Sequence, residues 1–271
     1  MGRRPALFNR AAFYSLVAMR RLAALACLIA AVPASAQRPP VFNPAAAYVT
    51  AGQDEAGYRA WLAAASWRPV YVKAFDDWLT AQGIAGIVPT WQLLRTASMW
   101  RDCGAEPFEV APSSEWPHLV ETLHYVRDHV IPVVGQVEAV SVYRNETLNK
   151  CAGGANESAH RWLYAMDLVP LRPTTRPALM RGLCAIHSWQ GNGSAVGLGF
   201  YKGLRFHIDS KKFRKWGAAL GDETEIGCPQ VMAQIAAEAA ASKAAIEARK
   251  ATPPVAPAPE PAPPADPLSP Q

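Results

Sequence analysis

Two short stretches hold most of the chemically versatile side chains, and a fold must bring them together before they can act jointly. The first runs from Ser141 to Asp167 and contains Tyr143, Arg144, Asn149, Gly153, Gly154, Glu157, Ser158 and His160. The second runs from Gly197 to Asp209 and contains Gly199, Tyr201 and His207. His160 and Asp167 are seven apart, so on a straight strand they would face opposite sides. A turn or a helical stretch between them is needed for both to reach one partner. His207 and Asp209 are two apart and share a strand face. Two imidazoles and one carboxylate, His160, Asp167 and His207, suit a Zn²⁺ ion with its fourth position left to water, the pattern of a catalytic site.

The ends of the chain say where such a site would work. Residues 1–36 carry Arg3, Arg4, Arg10, Arg20 and Arg21 and no acid, then an apolar run from Leu22 to Val32 and the small triplet Ala34-Ser35-Ala36. That order is a secretory signal, and it predicts a periplasmic or secreted protein. The apolar run is 11 residues, short of the roughly 20 a membrane-spanning helix needs, and no later segment is long and apolar enough. Of the 27 basic side chains, 22 remain beyond the leader, equal to the 22 acids. The general positive field that drives nucleic-acid binding is therefore not expected. Cys103, Cys151, Cys184 and Cys228 lie beyond the leader, an even number consistent with two disulfides whose connectivity the spacing leaves open among three.

With half its residues apolar, the chain can bury a core. Tyr58, Trp61 and Leu62, then Val72, Phe75, Trp78 and Leu79, predict two short amphipathic helices separated at Pro69 and stopped at Gly83. They belong to a helical segment over 37–90 whose role the sequence leaves open. Leu119, Leu123, Val126 and Val130 predict a helix capped by Ser114 and ended by Pro132 and Gly135. Val137–Val142, Val196–Phe200 and Arg205–Asp209 read as strands, the last two as a hairpin, and Pro177–Ile186 as a helix. Helices with hairpin strands indicate an α+β domain, here over 91–230. An Ala-rich helix over 231–250 has little to pack with. Residues 251–271, with nine prolines, predict an extended, disordered tail.

The two chemical stretches resemble those of the zinc D-alanyl-D-alanine carboxypeptidase and murein endopeptidase family, related to lysostaphin and the hedgehog signalling domain. Ser141, Tyr143, Arg144, Asn149, Gly153, Gly154, Ser158, His160, Ala165 and Asp167 stand where that family's first motif places them. Gly197, Gly199, Tyr201, Phe206, His207, Asp209 and Trp216 follow the second. The resemblance covers roughly residues 90–218. It implies a hedgehog/D-Ala-D-Ala-peptidase-like α+β domain with a small antiparallel sheet flanked by helices. It also implies His160, Asp167 and His207 as Zn²⁺ ligands, and hydrolysis of peptidoglycan stem peptides or cross-links. Arg144 would hold a substrate carboxylate or the developing oxyanion, with Tyr143 and Ser158 beside the substrate.

Two positions depart from the pattern. Leu163 stands where the family has Gly, so its backbone must tolerate a side chain. Leu204 stands where many relatives place a general base, which leaves Asp209 and Glu157 as the nearest acids for that role. The second departure keeps an alternative alive, a non-catalytic zinc-containing module on the same fold that binds cell wall or a partner. A third reading takes the cysteines and tail as marks of a structural envelope protein without metal. His118, His124, His129 and His187 read as ordinary surface or structural histidines. Trp162 and Trp189 read first as packing residues, with a groove lining as the sharper option.

Overall fold

A computed structural model describes residues 41–217 and 227–251. The expected leader and all of the expected tail except Ala251 lie outside the described residues. Asp54 opens the first helix, α1 (Glu55–Ala63), its carboxylate accepting from the Gly57 amide at 2.7 Å. Pro69 sits in the first turn of α2 (Arg68–Ala81), where its missing N–H costs no helical hydrogen bond. Trp61 from α1 and Val72, Phe75 and Leu79 from α2 are buried on the faces their spacing predicts.

The next helical run departs from its sequence reading at both ends. Ser114 does not cap it. Its hydroxyl bonds the neighbouring Glu115 side chain, and a 3₁₀ turn, Trp116–His118, leads into α3 (Leu119–Tyr125). Pro132 does not stop it either. The chain widens into a π turn, Val126–Val130, before Pro132 and stays helical over Ile131–Val134. A prolyl ring removes a hydrogen bond and crowds the preceding turn, and a π turn is one way to accommodate that. Gly135, at φ +84°, ends the run.

The sheet has five strands: β1 (Val137–Ser141), β2 (Ala165–Pro170), β3 (Gly197–Phe200), β4 (Phe206–Asp209) and β5 (Arg214–Trp216). Their order is β1-β2-β4-β3-β5. The expectation of a purely antiparallel sheet needs correcting: β5 runs parallel to β3, so the sheet is mixed. Its three residues pair with Gly197, Leu198 and Gly199 along the outer side of β3. The sequence reading lacks β2, and the reason is physical. All six of its residues are buried, so it carries no polar–apolar alternation to mark it as a strand.

Three further helices follow, α4 (Glu146–Cys151), α5 (Arg176–Ile186) and α6 (Cys228–Ala251), besides a single helical turn at Thr90–Leu93. Among the three connectivities, the cysteines join as Cys103–Cys151 and Cys184–Cys228. The second bond fastens the start of α6 to α5, and Val231, Met232 and Ile235 are the α6 side chains that reach the core. Residues between 42 and 90 contribute Trp61, Phe75, Leu79, Ile84 and Val88 to the same core as β1–β4, so this segment is built into the sheet domain. Arg95 stitches the two together. Its fully buried guanidinium donates to the Gln53 and Ala139 carbonyls and pairs with Glu138 at 2.7 Å. Among the described residues, no helix is long and apolar enough to cross a membrane.

Candidate metal centre

His160 and Asp167 meet because the chain turns between them. Ala159–Trp162 forms a 3₁₀ turn, and Leu163 reverses the backbone in the left-handed region at φ 56°, ψ 19° before β2 begins. Leu163 is the position at which the motif this stretch resembles carries glycine. A non-glycine residue in that conformation costs roughly 1–2 kcal/mol, and burial of the Leu163 side chain to 1% exposure offsets it. Asp167 then pairs across the sheet with His207 of β4. The three sequence-selected groups converge in a buried cluster.

The hydrogen bonds around this cluster fix which atoms face inward. The Nδ1–H of His160 donates to the Val142 carbonyl at 2.6 Å, leaving the Nε2 lone pair free. The Nε2–H of His207 donates to Asp209 Oδ2 at 2.9 Å, leaving Nδ1 free. Arg144 Nη2 donates to Asp167 Oδ2 at 2.6 Å, which turns Oδ1 toward the two imidazoles. Arg144 is itself held by a bond from its Nε to Ser141 Oγ at 2.9 Å. His160 Nε2, His207 Nδ1 and Asp167 Oδ1 thus form a triangle with sides of 3.2, 3.2 and 3.1 Å.

Three lone-pair donors face one another with no N–H or O–H left among them in the neutral tautomers. Such a set could hold a metal ion at its centre. Tetrahedral Zn²⁺, with ligands at about 2.0–2.1 Å, sets neighbouring donor atoms about 3.3 Å apart. The triangle is therefore close to one face of a zinc tetrahedron, and its three outer partners are the kind that orient zinc ligands. Burial, then the Arg144 charge, lowers the His160 pKa to about 4, so its imidazole is neutral at neutral pH. Burial alone would raise the Asp167 pKa, but His160 and Arg144 outweigh it and hold the carboxyl well below the usual range. Burial also disfavours charge on His207, yet its bonds to Asp167 and Asp209 win and raise its pKa.

The glycines of the second stretch have steric reasons. A Cβ on Gly197 would lie 2.2 Å from Asp209 Oδ2, and one on Gly199 would lie 2.2 Å from the Trp216 indole. Trp216 in turn packs against the His207 ring at 5.3 Å between centroids. Gly154 plays a similar part in the first stretch, since its Cβ would collide with the Asn149 amide, whose Nδ2 donates to the Ala155 carbonyl.

A cleft of about 780 Å³ opens over the triangle and reaches His160 and His207. Arg144 and Ser158 line it. Glu157 lies at its exposed edge, 3.4 Å from Lys211 Nζ, and is the one carboxylate among the described lining residues. Tyr143 sits elsewhere, buried in the core and outside the cleft lining. Asp209 is fully buried behind His207, bonded also to Arg214 and to the Lys211 amide, so it orients the ring from the side away from the triangle. Leu204 packs half-buried against the core.

Two of the other four histidines are occupied structurally. His118 Nδ1 bonds the Trp162 carbonyl and its ring stacks on Tyr164, and His187 bonds the Val196 carbonyl and stacks on Phe213. Trp162 is covered by Arg161 and Lys211, whereas Trp189 is exposed. Sequence reasoning misses Arg205, Lys212 and Arg214, which also line the cleft. The alternation Arg205-x-His207-x-Asp209-x-Lys211 is the signal that could have found the first of them. No family model, curated protein or solved structure matches the chain.

Proposed function

We propose that the protein is an exported zinc metallopeptidase that hydrolyses peptidoglycan stem peptides or cross-links, as a D,D-carboxypeptidase or endopeptidase. The observation that carries this reading is the triangle of three inward lone pairs beneath an open cleft. Zn²⁺ held by His160, Asp167 and His207 would supply Lewis acidity and bring the pKa of a coordinated water toward 7. The protein's own groups do the positioning. Val142 and Asp209 lock the two imidazole tautomers, and Ser141 steadies Arg144 against Asp167. Arg144 Nη1 has no protein partner among the described residues, so it remains open to a substrate carboxylate or a developing oxyanion. Glu157 is the acid at the cleft edge from which a proton could be moved.

One observation favours the second reading, a zinc-containing module that binds cell wall or a partner without turnover. Asp209 faces away from the triangle and Leu204 offers no base. One assay separates the two. The purified protein is incubated with isolated murein and with stem peptides, and released D-alanine and cleaved cross-links are followed by mass. The peptidase reading expects cleavage that chelator abolishes, that added Zn²⁺ restores, and that His160→Ala lacks. Murein binding with no product from any peptide supports the binding module. Cleavage that ignores both chelator and His160→Ala removes the metallopeptidase.

A further inference from the structure

The two disulfides differ in where they lie. Cys184 and Cys228 are buried, whereas Cys151 is exposed and Cys103 half-buried. The Cys103–Cys151 bond also sits beside the cleft. Cys151 ends α4 and is followed directly by Ala152, Gly153, Gly154 and Ala155, all of which line the cleft. Cys103 closes a turn on Met99, its amide donating to the Met99 carbonyl at 3.0 Å, and Ala97, Ser98 and Met99 line the same cleft. One covalent bond therefore ties together two segments that both line the space over His160 and His207.

Among the described residues, no hydrogen bond or ion pair joins 97–105 to 146–158, so the disulfide is the bond that fastens them. The base of the 97–105 loop is fixed independently. Arg95 bridges Phe108, and the Thr96 amide and hydroxyl donate to the Pro107 and Glu106 carbonyls. The loop's other ties run to Thr50, Ala51 and Gln53. In the second segment, the Ala155 carbonyl accepts from the Ser158 amide and from Asn149 Nδ2, each at 3.0 Å, so the placement of 152–155 passes to Ser158 in the cleft. The bonds that orient His160, Asp167 and His207 come from Val142, Arg144 and Asp209, outside both segments. Exposed disulfides are the ones thiols reach and reduce most readily. Loss of this one unfastens two cleft segments and leaves the supports of the triangle in place.

We infer that Cys103–Cys151 is a thiol–disulfide exchange site through which a thiol reductant frees the 97–105 loop from 152–155 and switches the cleft, while the triangle keeps its affinity for a metal. The exchange balances with two thiols. One thiolate attacks the Sγ of exposed Cys151, the protein disulfide breaks, and Cys103 leaves with the electron pair and takes a proton. A second thiolate attacks the reductant's own sulfur in that mixed disulfide, releases Cys151 to be protonated in turn, and departs as the reductant's disulfide. The protein gains two electrons and two protons, and the two thiols lose them. The exchange site stands apart from the peptidase reading; only the expected change in turnover rests on it.

The test equilibrates the zinc-loaded full chain in glutathione buffers of stepped reduced-to-oxidised ratio, traps free thiols with iodoacetamide and assigns them by peptide mass. The exchange constant for Cys103–Cys151 is expected to favour reduction at least about tenfold more than that for Cys184–Cys228. In the selectively reduced protein, amide hydrogen exchange over 97–105 and 152–155 is expected to quicken and zinc Kd to stay unchanged. Turnover of stem peptides, read as kcat/KM, is expected to fall by up to about 100-fold and to return on reoxidation. The chain carrying both Cys103→Ser and Cys151→Ser is expected to match the reduced protein and to ignore thiol. Reduction of both pairs together, selective reduction with unchanged amide exchange, or thiol sensitivity that survives in the double variant overturns the inference. A zinc Kd that weakens on selective reduction also overturns it, because the bond would then support the triangle. No turnover in either redox state, with the expected exchange pattern, keeps the site and sinks the peptidase. Quickened exchange with unchanged kcat/KM keeps the peptidase and sinks the switch.

Discussion

Asp209→Ala is the substitution that most sharply separates positioning from proton transfer. The Asp209 carboxylate is fully buried and receives bonds from His207 Nε2 at 2.9 Å, Arg214 at 2.8 Å and the Lys211 amide at 3.0 Å. Burial opposes its ionisation, but the His207 bond and the Arg214 charge prevail and hold its pKa below the ordinary value, so it is an anion at neutral pH. Its removal frees His207 to rotate and to place its proton on Nδ1, the atom that faces the triangle. Loss of such an outer partner typically weakens metal binding 10- to 100-fold, or about 1.4–2.7 kcal/mol. Asp209→Asn can still present an oxygen to His207 Nε2–H and is expected at the low end of that range. Zinc Kd is measured by competition with a chromogenic chelator, with the thermal midpoint of the metal-free protein as the control for folding. Unchanged zinc affinity in Asp209→Ala, together with lost turnover in Asp209→Asn, would refute the positioning role and make Asp209 a base.

Leu163→Gly relieves a backbone cost of roughly 1–2 kcal/mol but empties a fully buried site that, as in other Leu truncations, is worth about 2–5 kcal/mol. Chemical denaturation is therefore expected to show net destabilisation, despite glycine's ease in that conformation, and a more stable variant would contradict this balance. Arg95→Ala leaves Glu138 and two buried carbonyls without their donor and is expected to cost about 3–5 kcal/mol by the same measurement. A cost below about 1 kcal/mol would mean that the 42–90 segment is not held through this residue. Zinc affinity should rise with pH. The metal-free centre keeps a proton on His207, whose pKa is raised, while Asp167 is ionised and His160 neutral. Zinc must expel that proton, so affinity increases about tenfold per pH unit below the His207 pKa and levels off above it. Zinc titrations in buffers of different protonation enthalpy that report no proton release would contradict this.

The sequence carried the candidate metal site better than the sheet. His160, Asp167 and His207 could be selected because ligand chemistry restricts residue type, and the need for a turn between the first two is met by Ala159–Trp162 and Leu163. The amphipathic faces of α1, α2 and α3 were legible because each has one dry side. β2 was not, since burial on both faces erases periodicity. β5 has only three residues, too few for any pattern. That Arg205 and Lys212 line one cleft depends on how β4 is set among its neighbours, which single positions do not reveal. Asp209's role was ambiguous for a similar reason: spacing places it on the face of His207, but only coordinates show that it bonds the nitrogen turned away from the centre. The steric grounds for Gly197 and Gly199 likewise come from tertiary contacts with Asp209 and Trp216.

Zinc content is the most direct measurement of the central claim. The protein is dialysed against a weak chelator, and metal is quantified by mass spectrometry alongside an equilibrium zinc titration, for the unmutated chain and for His160→Ala and His207→Ala of matched circular dichroism. The account predicts one tightly held zinc per chain in the unmutated protein and its loss in both variants. An unmutated protein that takes up no stoichiometric zinc, or variants that retain it, would contradict the account.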